Sequence, residues 1–127
     1  MKIAAIFITL AGFGNTASAV IPLQDSNEIL GHWTLLSVAP GLKNAKIIEN
    51  RDWEFTNDGR FITSGFNRHI HVTDRLEFKY RVENGKIVAT DPGRPNKPQV
   101  YEIYEKNEDG SMILQGGVEG FYFLKKK

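Results

Sequence analysis

The chain has 127 residues with sixteen Lys and Arg against fifteen Asp and Glu, and it contains no cysteine. That length supports one hydrophobic core rather than two, so a single domain is expected. The near-neutral balance excludes the basic footprint of a nucleic-acid binder, and the missing cysteine excludes both a disulfide framework and a lipid anchor attached through cysteine.

At the N-terminus, Lys2 precedes an apolar run over residues 3–13, and Ala17-Ser18-Ala19 supplies the small residues that signal peptidase accepts. The run is shorter than the roughly 20 residues that cross a bilayer. Residues 1–19 are therefore expected to be a cleavable secretory signal, with residues 20–127 as the exported domain, periplasmic or secreted. Lys2 is the one basic residue of that segment, so its removal brings cations and anions to parity.

From residue 29 onward the chain reads as short strands punctuated by turn residues. Residues 29–38 form the first and end at Pro40-Gly41. Residues 47–56 form the second, with Trp53 and Phe55 alternating with Glu54 and Thr56 before Asn57-Asp58-Gly59. Residues 60–73 form a long third strand, in which Gly65 is expected to mark a bulge or bend where the inward face changes phase. The fourth, 76–82, alternates Leu76, Phe78, Tyr80 and Val82 with Glu77, Lys79 and Arg81, the pattern of a strand with one face buried. Glu83-Asn84-Gly85 turns the chain into 86–90, and Pro92, Gly93, Pro95 and Pro98 make 91–99 a stiff exposed loop. Residues 100–106, 111–115 and 121–126 complete the set.

Eight consecutive strands with short connections predict an all-β antiparallel up-and-down barrel, because closure removes the exposed edges that invite aggregation. A two-sheet sandwich is the rival arrangement. In a meander, alternate connections share an end. The tight turns at 57–59, 83–85 and 107–110 then cluster at one end, where residues 20–30 would cross as a plug. The longer connections at 39–46, 73–75, 91–99 and 116–120 gather at the other, which is the expected mouth. The same parity brings Trp33 beside Lys125 and Lys126, so that one basic side chain lies over the indole.

The run Gly31-His32-Trp33-Thr34-Leu35-Leu36-Ser37-Val38 resembles the Gly-x-Trp opening strand of lipocalins and, more closely, the small bacterial lipocalin-like domain proteins. The resemblance continues through Trp53-Glu54-Phe55 with Asp58-Gly59-Arg60-Phe61, Tyr80-Arg81-Val82 with Gly85-Lys86-Ile87, Gly110-Ser111-Met112-Ile113-Leu114, and Phe123-Leu124-Lys125. It implies a calycin-type barrel in which Gly31, Trp33 and Lys125 belong to the structural motif. Strands shorter than those of the longer lipocalins imply a small cavity or none.

Phe66, Phe78, Tyr80, Tyr101 and Phe121 are the aromatic residues assigned to the mouth as pocket lining, with core packing as the alternative for each. Arg68 falls in phase with Phe66, Ile70 and Val72, so it is expected to point inward. There it needs a protein carboxylate or, on the sharper reading, the carboxylate of a ligand. His69 and His71, two apart on one strand, offer a weak metal site that lacks a third ligand, and a solvated face is the favoured reading. No cysteine nucleophile, Gly-x-Ser-x-Gly elbow, phosphate loop or His-Glu-x-x-His motif is present, so no enzyme activity and no cofactor are expected. The expectation is a monomer that binds a small apolar molecule, with a periplasmic protein partner as the alternative.

Overall fold

The computed structural model of the chain describes residues 21–127; the expected signal segment and its cleavage point lie outside the described residues. Eight strands follow in order: β1 (Gly31–Ala39), β2 (Ile47–Phe55), β3 (Arg60–Asn67), β4 (Val72–Glu83), β5 (Lys86–Thr90), β6 (Gln99–Lys106), β7 (Ser111–Gly116) and β8 (Gly120–Lys126). Each pairs antiparallel with its neighbours in sequence, and β8 returns to β1 to close the barrel. The expected architecture is thus present, and the sandwich is not.

Period-two alternation selects what points inward. On β2 the buried residues are Arg51, Trp53 and Phe55; on β7 they are Met112 and Leu114; on β8 they are Tyr122 and Leu124. With Trp33, Ile87, Ile103 and Tyr101 the apolar ones form a single core inside the barrel. Two irregularities let the sheet curl closed. Register slips at Leu36 on β1, opposite Asn50 in the left-handed region on β2, and at Tyr104 on β6.

The bulge expected at Gly65 is absent. Pairing of β3 with β4 runs unbroken from Arg60↔Lys79 to Asn67↔Val72, so the inward phase does not change. Instead, β3 ends at Asn67 and a turn over residues 68–71 leads into β4, which starts earlier than the alternation suggested. The Asn67 side chain accepts from His69 N at 2.9 Å, and its carbonyl accepts from His71 N at 2.8 Å. Such side-chain support lets a non-glycine residue close the turn, and His71 does so at φ 58°.

The tight-turn end is plugged as its sequence suggests. Ile21 N donates to Ile103 O at 2.7 Å and Leu23 N to Gly85 O at 3.0 Å, which draws the leading segment across the end. Leu23 and Ile29 are buried in the core cluster on either side of a short 3₁₀ turn, Ser26–Glu28, capped by Asp25. Trp33 Nε1 donates to Ile29 O at 2.9 Å. The cation over its indole is Lys126, 4.8 Å from the ring centroid, and Lys126 Nζ also donates to Leu30 O. Lys125, the residue assigned by resemblance, alternates to the outer face and is exposed. Gly85 is required here twice over: its φ is 78°, and an added Cβ would lie 2.9 Å from Pro22 Cβ.

Candidate functional site

The opposite end is hollow. A cavity of about 200 Å³ lies in the open half of the barrel, over a floor of Trp53, Phe61, Tyr101 and Tyr122. Leu35, Thr63, Leu76 and Phe78 form its sides, while Glu49, Asn67, His69, Val118 and Glu119 stand around its rim. The floor rings meet edge to face, Trp53 with Phe61 at 4.7 Å and Tyr101 with Tyr122 at 5.3 Å.

Two charged groups organise the wall. Arg51 points inward because it shares phase with Trp53 and Phe55. Its Nε and Nη2 donate to Thr63 Oγ1 at 3.1 and 2.9 Å, its Nη1 to Gly65 O at 2.9 Å, and its Nη2 to Asp74 Oδ1 at 2.8 Å. Gly65, whose carbonyl takes the Nη1 bond, sits at φ 127°, a backbone conformation that favours glycine. Asn67 Nδ2 donates to the other Asp74 oxygen at 2.8 Å. Burial alone would raise the Asp74 pKa, but hydrogen bonds from Asn67 and Arg51 outweigh it and hold the carboxyl below its ordinary value.

The second group spans the mouth. The β3–β4 turn and the β7–β8 loop lie on opposite sides of an eight-stranded ring, and Arg68 and His69 of the first reach Glu119 of the second. Arg68 Nε donates to Glu49 Oε2 at 3.0 Å, its Nη2 lies 3.0 Å from Glu119 Oε2, and His69 Nε2 is 3.0 Å from that same oxygen. Arg68 Nη2 is buried and off the hydrogen-bond direction, so its contact with Glu119 is an ion pair rather than an aligned bond. Burial opposes the Arg68 charge, and the two carboxylates more than compensate, keeping it cationic. Tyr122 OH holds the far side by accepting from Val118 N at 3.0 Å and Glu119 N at 3.1 Å. Burial, with Tyr122 next to it, pushes the Tyr101 phenol far above its usual range. Both the floor and the rim therefore offer hydrogen-bonding groups beside a large apolar area.

The residues expected at the mouth divide. Phe78 and Tyr101 line the cavity, and Arg68 stands at its rim paired with protein carboxylates. Phe66 and Phe121 do not line it. Phe66 is half exposed on the outer face, its ring 6.3 Å from that of His71. Phe121 packs outside against Tyr104 at 5.5 Å. Tyr80 belongs to the plugged end, where its hydroxyl donates to Thr56 O at 2.7 Å. His69 and His71 sit in a turn rather than on one strand face, His69 against Glu119 and His71 beside Phe66. Among the described residues, no group of three His, Asp or Glu is arranged to hold a metal.

Tyr122, Arg51, Thr63, Asp74, Glu49 and Glu119 are the site residues that the pattern reading missed. Two of them carried a usable signal, for Arg51 and Asp74 each occupy an inward phase otherwise filled by Trp53 and Phe55 or by Leu76 and Phe78. Comparison of the chain with protein-family models, with curated proteins and with solved structures finds no match.

Proposed function

We propose that this chain is an exported, lipocalin-like binding protein that takes one small, largely apolar molecule into the open end of its barrel. The observation that carries the reading is the cavity of about 200 Å³ with four aromatic residues as its floor and a ring of polar groups at its entrance. A dry cavity of about 150 Å³ holds a benzene ring, whereas drug-sized ligands occupy pockets of roughly 300 Å³ or more. The expected ligand is therefore of single-ring size. Export is inferred from the composition of residues 1–19.

Such a molecule buries roughly 150–250 Å² of apolar surface, worth about 4–6 kcal/mol at ~25 cal/mol per Å². Affinity from that term alone is in the millimolar to tens-of-micromolar range. Tighter binding must use polar groups, Asn67 and His69 at the rim and the Tyr101 hydroxyl in the floor, to orient a single polar substituent. No bond-making chemistry is part of this reading.

An apolar-dye titration followed by native mass spectrometry of the exported chain tests the proposal. Expected are one dye site per chain and its loss in Leu76→Trp, whose indole fills the cavity. Absence of any dye site and of any retained species would overturn it. The alternative is a protein-interaction or inhibitor module, and it draws on residues 92–98, all exposed in a loop with Pro92, Pro95 and Pro98. It requires instead that a periplasmic protein co-purify and that exchanging this loop abolish the association.

A further inference from the structure

Large apolar side chains are exposed chiefly at one end of this barrel. Strand parity puts the four connections at 40–46, 68–71, 91–98 and 117–119 around the cavity mouth. Three of them carry an exposed apolar residue: Leu42 on the first, Ile70 on the second and Val118, 78 % exposed, on the last. Ile48, at 70 % exposure, stands just below the first on the outer wall. Connections at one end of a cylinder end near a common plane, so these side chains can meet a flat apolar layer together. Leaving such residues in water has no stabilising role in the barrel, whose core is complete without them.

Charge also marks the mouth. The mouth connections bear Lys43, Lys46, Arg68, Arg94 and Lys97 against Asp91 and Glu119, and Arg68 is consumed by its two carboxylates. Lys43, Lys46, Arg94 and Lys97 are all exposed. The plugged end has Asp58, Glu108 and Asp109 in its connections, with Asp25 and Glu28 on the plug. Cations offset these acids: Arg60 pairs with Asp58, Lys106 pairs with Glu28, Lys126 covers Trp33, and Lys125 and Lys127 stand at the same end of β8. The mouth connections thus carry an excess of exposed cations, whereas the plugged end holds both signs in near balance.

We infer that the open rim is a docking surface for an anionic lipid bilayer, with Ile70 and Val118 entering the interface and Lys43, Arg94 and Lys97 lying against the headgroups, while Lys46 covers the Phe123 ring at 4.2 Å. Apolar tips ringed by lysine and arginine are the combination that a headgroup region rewards, each cation strengthening adsorption on the order of fivefold. A second copy of the chain fits less well, because two such rims facing each other would oppose their own positive charge. Docked this way, the mouth rests on the bilayer, and a small apolar molecule can pass between lipid and cavity without crossing water. The docking itself does not depend on the ligand reading.

Co-sedimentation with vesicles tests it, using the chain without residues 1–19, which retains every strand and the plug. The probes are equimolar phosphatidylglycerol and phosphatidylcholine vesicles beside vesicles of phosphatidylcholine alone. The chain should sediment with the anionic vesicles only, and release as salt is raised. Lys43→Glu with Arg94→Glu, and separately Ile70→Glu with Val118→Glu, should each lower binding by at least about tenfold, with unchanged thermal midpoints reporting intact folding. No sedimentation with anionic vesicles, or binding unmoved by both variant pairs, would overturn the inference. So would concentration-dependent dimerisation that Ile70→Glu with Val118→Glu abolishes, since the rim would then be a contact between copies.

Discussion

Replacing Arg51 by methionine isolates what the inward-facing ion pair contributes. Methionine keeps the length of the stem and removes the guanidinium, so Asp74 loses its cation while Thr63 Oγ1 and the Gly65 carbonyl lose their donor. The pair is well shielded, with side-chain exposures of 8 % for Arg51 and 14 % for Asp74. Removing one member of such a pair leaves a charge without its partner and costs about 3–5 kcal/mol. A domain of this size has roughly 5–15 kcal/mol in total, so the loss is a substantial share of it. Urea denaturation reads it directly: with a slope of about 2 kcal/mol/M, the midpoint should fall by roughly 1.5–2.5 M at unchanged slope. The double variant Arg51→Met with Asp74→Leu removes both charges. It should recover most of that loss, because the expense lies in the orphaned carboxylate rather than in the missing bond. A single variant costing less than about 1 kcal/mol, or a double variant less stable than the single, would refute the reasoning.

Three more outcomes follow from the same geometry. Because the Asp74 pKa is lowered in the folded state, its contribution is present above the unfolded value near 4 and is lost as pH falls through the folded value. Urea midpoints measured from pH 6 downward should therefore drop more steeply below about pH 4 in the natural chain than in Asp74→Asn. Gly85→Ala meets both an unfavourable φ and Pro22, so a loss of at least ~1 kcal/mol in thermal or urea unfolding is expected, against no measurable effect for Gly93→Ala in the exposed loop. Lys126→Met keeps the packing over Trp33 but removes the charge, and should cost about 0.5–2 kcal/mol, whereas Lys125→Met should cost nothing detectable.

The barrel was legible because most strands repeat every second residue and every turn except that at 68–71 carries Asn, Asp, Gly or Pro. Legibility failed where both phases are apolar. In Phe121-Tyr122-Phe123-Leu124 alternation cannot choose a face, and the choice is made across the sheet, where Tyr122 pairs with Leu114 and Leu124 with Met112. Ile70 and Val72 failed differently: their strand-like chemistry hid the turn supported by Asn67, and the missing turn displaced Arg68, His69 and His71 by one structural unit. Glu49 and Glu119 converge on Arg68 from a bulged strand and a loop, so no spacing rule links them. The plug was readable from parity alone, as was the pairing of Trp33 with a lysine of the last strand.

Pairing of β1 with β8 has a consequence for how the molecule comes into being. The final seam joins the two extremes of the barrel sequence, so no leading fragment can satisfy its own edges, and closure waits until the last strand is available. A nascent chain therefore presents open strand edges for as long as it is incomplete, while the finished ring presents none. Loss of β8 should consequently yield aggregation rather than a smaller folded remnant.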